Sequence, residues 1–303
     1  EVVTTEIPND YNYNMDKIKA VYLPHDMAYP MRYVIAPEII GTDEATKAKE
    51  ACKYDSVDLE MQPERFNLKV ASIVWATGWN SYDASKIENL GFGKVPNVIT
   101  NVMMERLAAF DGPTGGKIVR PADGKPVESV AFVQCAGSRD ENYMAFCSHI
   151  CCLASLKQTT YVREQLPDAK VTIFYIDIRA LGKYEEFYTK VAAEDNVTLI
   201  KGKVAKVEAD PASDKILVEA EDIYGGGKSQ AKVDLVVLAT GMEPSTATAK
   251  VPADVSYDES GFVVSEKPGI YAAGCTRKPL DVATSNRDAT AAALKAIQST
   301  VRR

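Results

Sequence analysis

The chain has 303 residues, 46% of them hydrophobic and 25% charged, with a formal net charge of -7. Those proportions are globular and leave room for two domains, while the acidic balance argues against nucleic acid or an anionic lipid surface as partner, since both demand a cationic face. No apolar run reaches the roughly eighteen residues that span a bilayer, so direct membrane insertion is not expected; six cysteines, sparse and clustered in a chain this long, suit a reducing, cytoplasmic compartment better than a secreted disulfide scaffold.

The opening EVVTTEIPNDYNYNMDK reads as a loop entering from an earlier segment, and Glu1 in place of Met points to an N-terminally truncated piece. Met15 to Ile40 is punctuated by aromatics and prolines, the pattern of irregular or short-stranded surface. TDEATKAKEACKYD has helical spacing and strong helix formers. Ala71 to Trp79, ASIVWATGW, is a continuous apolar run stopped by glycine, which predicts a strand buried on both faces. GFGKVPN from Gly91 and GPTGGK ending at Lys117 have the wrong spacing or context for phosphate loops and read as turns. VESVAFVQCAG predicts a strand, YMAFCSHICCLASLKQTTYVREQL a long helix, KVTIFYIDI a second buried strand and EEFYTKVAAED a helix. VTLIKGKVAKVEAD, KILVEAED and KVDLVVLAT follow as strands, with YGGGKS as a hairpin turn. GFVVSEKPGIYAAGCT then gives a strand closing on Gly274, and SNRDATAAALKAIQSTV an Ala-rich helix.

Buried strands alternating with helices imply a mostly parallel sheet covered on both faces. A strand ends in Ala-Thr-Gly twice, at Ala76-Thr77-Gly78 and Ala239-Thr240-Gly241, on either side of a block with its own strand–helix–strand rhythm, and a third strand ends in Ala272-Ala273-Gly274. The expected fold is α/β, of the two-dinucleotide-binding-domain flavoprotein type (FAD/NAD(P)-binding, Rossmann-like), with the first domain incomplete at its N-terminus. A discontinuous FAD-binding-type domain is expected over residues 1–127 and 240–303, and an inserted Rossmann-like domain carrying the cysteines over residues 128–239.

Small residues at strand ends let the backbone approach a pyrophosphate or a planar ring without a Cβ clash. The candidate cofactor-binding residues are accordingly Ala76, Thr77, Gly78, Gly241 and Gly274, with Cys275, Asp281, Val282 and Ala283 around the start of the last helix, whose unsatisfied N–H groups suit a negatively charged locus. Two departures stand out. Cys275 occupies the place where flavoproteins of this architecture carry Asp, and no GxGxxG unit opens the chain.

After VAFVQ, where a second dinucleotide fingerprint would sit, the chain offers Cys135, and Cys147, Cys151 and Cys152 follow in the spacing C-x11-C-x3-C-C. At roughly 100° per residue one regular helix cannot aim Cys147, Cys151 and Cys152 at a single point, because Cys152 points about 140° away from Cys147. The difficulty disappears if Cys147 lies in a loop and the helix begins at Cys151 and Cys152, whose position at a helix N-terminus favours thiolates and an anionic cluster. Four thiolates suit a tetrahedral zinc or an iron–sulfur cubane. Zinc ribbons use C-x2-4-C knuckles and redox dithiols C-x-x-C, both missing; a helix burying cysteines as small apolar residues is the plain alternative. His149, His25 and Cys52 are given no role.

IVWATGW, FVQCAGSRDE, FCSHICC, LATGMEP and AAGCTRKPLDVATSNRDATAAALKA together resemble the A subunits of heterodisulfide reductases and their relatives, most of all those of the quinone-interacting membrane-bound oxidoreductase complexes of sulfate-reducing bacteria. The resemblance implies FAD at the ATG and AAG strand ends and a [4Fe-4S] cluster on Cys135, Cys147, Cys151 and Cys152. It also implies other subunits of a membrane-associated complex as partners, adenylylsulfate reductase among the proteins served, and a peripheral place on the cytoplasmic face of the inner membrane. No catalytic acid or base is expected, since electron transfer needs none. The competing functions are a pyridine-nucleotide:disulfide oxidoreductase acting through Cys151 and Cys152, and a non-catalytic scaffold with decayed cofactor sites.

Overall fold

The computed structural model describes residues 2–264 and 267–301. In the irregular N-terminal part, short strands β1 (Glu6–Pro8) and β2 (Lys17–Lys19) pair antiparallel, as do β3 (Val21–Tyr22) and β4 (Val34–Ile35). Helix α1 (Asp43–Glu50) follows, its first turn acidic, its last turn basic and its N-cap Thr42 accepting from the Ala45 N–H, three features that each offset the open ends of a short helix. The Glu44 carboxylate accepts from the backbone N–H and hydroxyl groups of Thr4 and Thr5 and so ties the start of the chain to α1.

The largest element is a five-stranded parallel sheet. After β5 (Ile73–Trp75) and β6 (Trp79–Ser81) come β7 (Val98–Thr100), α2 (Asn101–Ala108), β8 (Ser129–Ala136), α3 (Cys151–Gln165), β9 (Lys170–Tyr175), α4 (Tyr184–Ala192) and β10 (Val197–Lys201). The antiparallel strands β11 (Val204–Ala209), β12 (Ile216–Asp222) and β13 (Gly227–Val233) lead back to β14 (Leu235–Thr240), and the sheet order is β10-β9-β8-β14-β7. Its central strands are largely apolar because both faces are covered. Val130, Phe132, Leu235 and Val237 pack with Leu156 and Val162 of α3, whereas Ala131, Val133, Val236 and Leu238 pack with Val207, Ile216 and Val218 of the antiparallel layer. Both faces are covered, as expected, one by helices and the other by this antiparallel sheet. The parallel sheet also reaches beyond the block expected at residues 128–239, since β7 hydrogen-bonds to β14.

The remaining strands form two small pairs at the C-terminal ends of the main strands. β15 (Met242–Pro244) pairs antiparallel with β6, and β16 (Ile270–Ala272) pairs parallel with β5, beside α5 (Val282–Val301). The run that predicted a doubly buried β5 is a three-residue strand with Ile73 and Val74 each 39% exposed. An apolar run establishes that a strand can be buried, not that this stretch of chain supplies the cover. The predicted strand GFVVSEKPGIYAAGCT includes Ser265 and Glu266, which lie outside the described residues. No helix among the described residues is long and apolar enough to cross a membrane.

Candidate redox site

In a doubly wound sheet the ligand crevice lies outside the carboxyl ends of the strands where the winding reverses. Here that point is between β8 and β14: the chain winds from β8 through α3 to β9 and β10 on one side, and returns as β14 on the other. The candidate cysteines lie near it, at the end of β8, in the loop that follows and at the start of α3. At the end of β8 the register with β14 shifts between Leu238 and Thr240, and Cys135 takes φ 56°, a left-handed conformation costing an ordinary residue ~1–2 kcal/mol. Such an irregularity re-aims a side chain that regular pleating would send elsewhere.

The next residues form a loop, not the first turns of the predicted long helix. Met144 N–H donates to the Gly137 carbonyl at 3.0 Å, Asp140 N–H to that of Met144 at 3.0 Å and Arg139 N–H to that of Phe146 at 3.1 Å, folding the loop back on the strand end. Cys147 lies in it and accepts from the His149 N–H at 3.4 Å. Helix α3 begins at Cys151, as the cysteine geometry required, and no side chain caps it at Ile150, so the positive end of its first turn faces the thiols. Cys151 Sγ donates to the Thr240 carbonyl of β14 at 3.6 Å and Cys152 Sγ to the Asp177 carbonyl beyond β9 at 3.7 Å. These adjacent sulfurs therefore face opposite flanks of β8.

Burial, then the charge of Cys152, pushes the Cys135 thiol up to about 11 against the pull of Arg139. Burial foremost raises Cys151 and Cys152 as well, and Cys135 and Cys147 add to the rise at Cys151. No cysteine is in a disulfide. Among the described residues, no three His, Cys, Asp or Glu side chains are drawn together tightly enough to hold a metal ion. His149 is exposed, His25 stacks on Tyr11 with ring centroids 4.8 Å apart, and Cys52 contacts Ser56 Oγ at 3.3 Å beyond α1.

The second candidate locus is the pair of strand ends at β5 and β16. Gly78 (φ 76°) and Gly274 (φ 64°) are both left-handed; an added Cβ would meet nothing within 4 Å at Gly78 and only Ser285, at 3.9 Å, at Gly274, so neither backbone is crowded at these strand ends. Thr276, which the sequence reading passed over, is fully buried and accepts through Oγ1 from the N–H groups of Thr77 (2.9 Å) and Gly78 (3.2 Å), locking the two strand ends together. Asp288 of α5, also passed over, accepts from the Gly274 N–H at 2.7 Å and pairs with Arg277 at 2.6 Å.

Other candidates are occupied by the fold. Asp281 accepts from the Thr284 N–H at 2.6 Å, a bond that holds its carboxyl below the usual range, and thereby caps α5, whose first residues are the exposed Val282 and Ala283. Cys275 donates to the Leu280 carbonyl (3.5 Å) and packs with Met242 and Leu280 against Trp79 and Ile150. Gly241 offers no open space: an added Cβ would lie 2.2 Å from Ser148 Oγ and 2.3 Å from Ser138 Oγ, both in the cysteine loop. The two Ala-Thr-Gly ends are also cross-linked. Thr77 Oγ1 accepts from Ser245 Oγ at 2.8 Å, and Thr240 Oγ1 shares a hydrogen bond with Ser81 Oγ at 2.9 Å. The hydroxyl of each motif is thus held by a residue that follows the other motif.

No protein-family model matches the chain. It is 37% identical over 312 residues to the A subunit of the Ferredoxin/F(420)H(2)-dependent CoB-CoM heterodisulfide reductase of Methanosarcina acetivorans, with 98% of this chain and 39% of the relative covered. It is 34% identical over 310 residues to the second iron-sulfur A subunit of the CoB--CoM heterodisulfide reductase of Methanopyrus kandleri, and 32% over 310 residues to the A subunit of the H(2):CoB-CoM heterodisulfide,ferredoxin reductase of Methanothermobacter thermautotrophicus, in both cases covering 98% of this chain and 47% of the relative. The chain thus spans less than half the length of these relatives, and over nearly its whole extent it is homologous to heterodisulfide reductase A subunits of methanogens. Among solved structures it resembles Lactococcus lactis thioredoxin reductase, with a TM-score of 0.51 at 18% identity over 77% of this chain and 67% of that one. That likeness gives the fold as the FAD/NAD(P)-binding Rossmann type.

Proposed function

We propose that this chain is the flavin- and iron–sulfur-bearing part of an electron-transfer protein related to the A subunits of heterodisulfide reductases, an oxidoreductase that works within a larger complex. The observation that carries the reading is the placement of Cys135 at the end of β8, Cys147 in the loop that follows and Cys151 and Cys152 in the first turn of α3, at the strand ends where a sheet of this winding would otherwise hold a nucleotide. These four residues would hold a [4Fe-4S] cluster, which supplies one-electron chemistry. Ala76, Thr77, Gly78 and Gly274 would line the FAD site, with the flavin converting between two-electron and one-electron steps. The chain's own contribution is to bind and orient the two groups and to keep water from the path between them. The plug of Ile150, Cys275, Leu280, Met242 and Trp79 lies between the cysteine loop and the strand ends.

The finer reading places the protein in a quinone-interacting complex of sulfate respiration. There it would link the quinone pool to adenylylsulfate reductase from a cytoplasmic, peripheral position held by partner subunits. It rests on the sequence resemblance, as does the division into a discontinuous flavin-type unit and an inserted cysteine-bearing one. A disulfide reductase acting through Cys151 and Cys152 is disfavoured, because their sulfurs point to opposite flanks of β8. Iron, sulfide and flavin determination on the complete natural polypeptide, purified without oxygen, tests the proposal. Cluster iron with bound flavin is expected; iron-free protein that reduces a small disulfide with NAD(P)H would overturn it.

A further inference from the structure

We propose that the cavity between the cysteine loop and the turn at Gly261 binds a guanidinium group, presented as an arginine side chain of a partner subunit. The site stands on its own geometry, whereas the source of its occupant rests on the reading above, in which the chain works within a larger complex.

The cavity has a volume of about 330 Å³, a size that suits a small ligand or a single long side chain. Tyr82 follows β6, Glu243 lies in β15, Tyr143 and Phe146 belong to the cysteine loop, and the turn of residues 258–261 completes the lining. Glu243 pairs with Asn80 across the β6–β15 ribbon, which the Tyr82 N–H extends by donating to the Gly241 carbonyl at 2.9 Å. Cross-strand partners share a face, and so do residues two apart on one strand, which puts Glu243 and Tyr82 on the same side of the ribbon. The walls are fixed before anything binds. Tyr82 packs edge-on with Tyr143 (ring centroids 6.5 Å apart) and Phe146 with Phe262 (5.2 Å), while the buried Thr246 Oγ1 donates to the Gly261 carbonyl at 2.7 Å. A preformed site loses little to ordering when it is filled.

Two polar groups of the lining are left over. Tyr82 is only 6% exposed, yet its hydroxyl makes no hydrogen bond among the described residues, and the half-buried Glu243 carboxylate has neither a hydrogen bond nor an ion pair there. Buried polar groups are ordinarily satisfied, so an unpartnered hydroxyl beside an unpartnered carboxylate calls for a ligand that donates. The other acids of the lining are different: Asp258 Oδ1 accepts from the Ser260 and Phe262 N–H groups at 3.0 and 2.9 Å and so shapes the turn, and Glu259 is exposed. Lys250 stands 4.0 Å over the Tyr257 ring and pairs with none of the three carboxylates. Glu243, Asp258 and Glu259 against Lys250 leave the lining with an excess of two negative charges beside three aromatic rings, which turns anions away. A bare metal ion does not fit either, since no three His, Cys, Asp or Glu side chains are grouped to hold one among the described residues. An organic cation fits both the rings and the carboxylate. Guanidinium suits them better than ammonium, because it is flat, weakly hydrated, stacks on rings and offers a carboxylate two donors at once. Exposed Lys250 and Glu259 put the cavity at the surface, within reach of a side chain from another subunit.

The test titrates N-acetyl-arginine amide, with the lysine and norleucine analogues as controls, into the complete natural polypeptide, alone and assembled with its subunits, and reads binding by saturation-transfer nuclear magnetic resonance. The polypeptide alone is expected to bind the arginine compound, the lysine one more weakly and the norleucine one not at all. Glu243→Gln should weaken the arginine compound about tenfold or more, and Tyr82→Phe, which keeps the ring in the core, about threefold to tenfold. The assembled complex should bind none of it, because the partner's side chain already fills the site. Absence of binding to the polypeptide alone, equal binding of the norleucine compound, or an unchanged affinity in Glu243→Gln overturns the site. Binding to the complex as strong as to the polypeptide alone overturns the partner as the source of the occupant. If Tyr82→Phe shifts the urea midpoint, Glu243→Gln decides alone. A polypeptide that assembles with no other subunit overturns the complex proposed above, and the partner's arginine with it, while the titration of the polypeptide alone still decides the site.

Discussion

Gly241→Ala tests whether the end of β14 is shaped to receive the cysteine loop. The added Cβ would stand 2.2 Å from Ser148 Oγ, 2.3 Å from Ser138 Oγ and 2.8 Å from Met144 Cε, all three on the loop that carries Cys147. Ser148 cannot simply turn aside, because its hydroxyl accepts from the Met242 N–H at 2.9 Å in a buried setting. Forcing a methyl group into a filled site costs ~1–3 kcal/mol, and a buried N–H stripped of its acceptor costs ~1–3 kcal/mol more, so a loss of about 2–6 kcal/mol is expected. That is a large share of the ~5–15 kcal/mol typical of a domain. Gly227→Ala is the control. Gly227 lies in the β13 hairpin with nothing within 4 Å of an added Cβ, and a change within ~0.5 kcal/mol is expected there. Urea midpoints and iron per chain, measured on both variants after anaerobic purification, give the answer. A Gly241→Ala protein matching the Gly227→Ala control in both would refute the packing argument.

Thr276→Val removes the acceptor for the Thr77 and Gly78 N–H groups; a loss of ~1–3 kcal/mol and diminished flavin retention are expected, read by a thermal melt and by flavin absorbance. Asp234→Asn weakens a buried carboxylate that accepts from Glu128 N–H (3.0 Å), Ser129 Oγ (2.8 Å) and Lys215 Nζ (2.8 Å). Burial opposes the charge of Asp234, but Lys215, Ser129 and Glu128 outweigh it and hold the carboxyl below its usual range. Its stabilisation is therefore complete above the ordinary Asp value near ~3.9 and is lost as pH falls through the lowered folded value. Denaturant curves should show a deficit of ~1–3 kcal/mol for Asp234→Asn near neutrality that closes in acid; a pH-independent deficit would count against the assignment. Cys147→Ser is expected to cut iron per chain sharply, whereas Cys275→Ser, at a cysteine directed to the Leu280 carbonyl, should leave iron unchanged.

What could be read in the sequence was whatever a local pattern determines. The strand ends, and a helix start at Cys151, follow from apolar runs stopped by small residues and from the impossibility of aiming Cys147, Cys151 and Cys152 from one regular helix. The register shift that turns Cys135 into the crevice leaves no mark in VAFVQCAG, because it depends on pairing with β14, a hundred residues on. Arg139 and Asp177 are 38 residues apart, and Thr77 and Thr276 are 199 apart, so no spacing announces either contact. Strand β7, three residues long, is below the length at which alternation is recognisable. That an antiparallel sheet covers one face of the parallel one leaves no mark in the parallel strands, which look equally apolar whichever layer lies above them. Asp281 was marked as a ligand candidate, but its position before a helix is also that of an N-cap, and the structure uses it so.

The Thr of each Ala-Thr-Gly end has a role the small-residue argument did not anticipate. Thr77 is bound by Ser245, which follows the second motif, and Thr240 by Ser81, which follows the first, while β6 and β15 pair between them. Two clasps on one short ribbon should not act independently: opening either frees the ribbon to shift, and the other clasp then has less to hold. Thr77→Val would cost ~0.5–1.5 kcal/mol for a lost hydrogen bond, and Thr240→Val more, because its hydroxyl also donates to the buried Asn101 Oδ1 at 3.1 Å. Because both act on β6 and β15, their combination should depart from the sum by ~0.5–3 kcal/mol. A double-mutant cycle on denaturant midpoints measures this directly. Additivity within ~0.3–0.5 kcal/mol would mean the two strand ends are fixed separately, and that the distance between the cysteine centre and the flavin-type strand ends is not set by this ribbon.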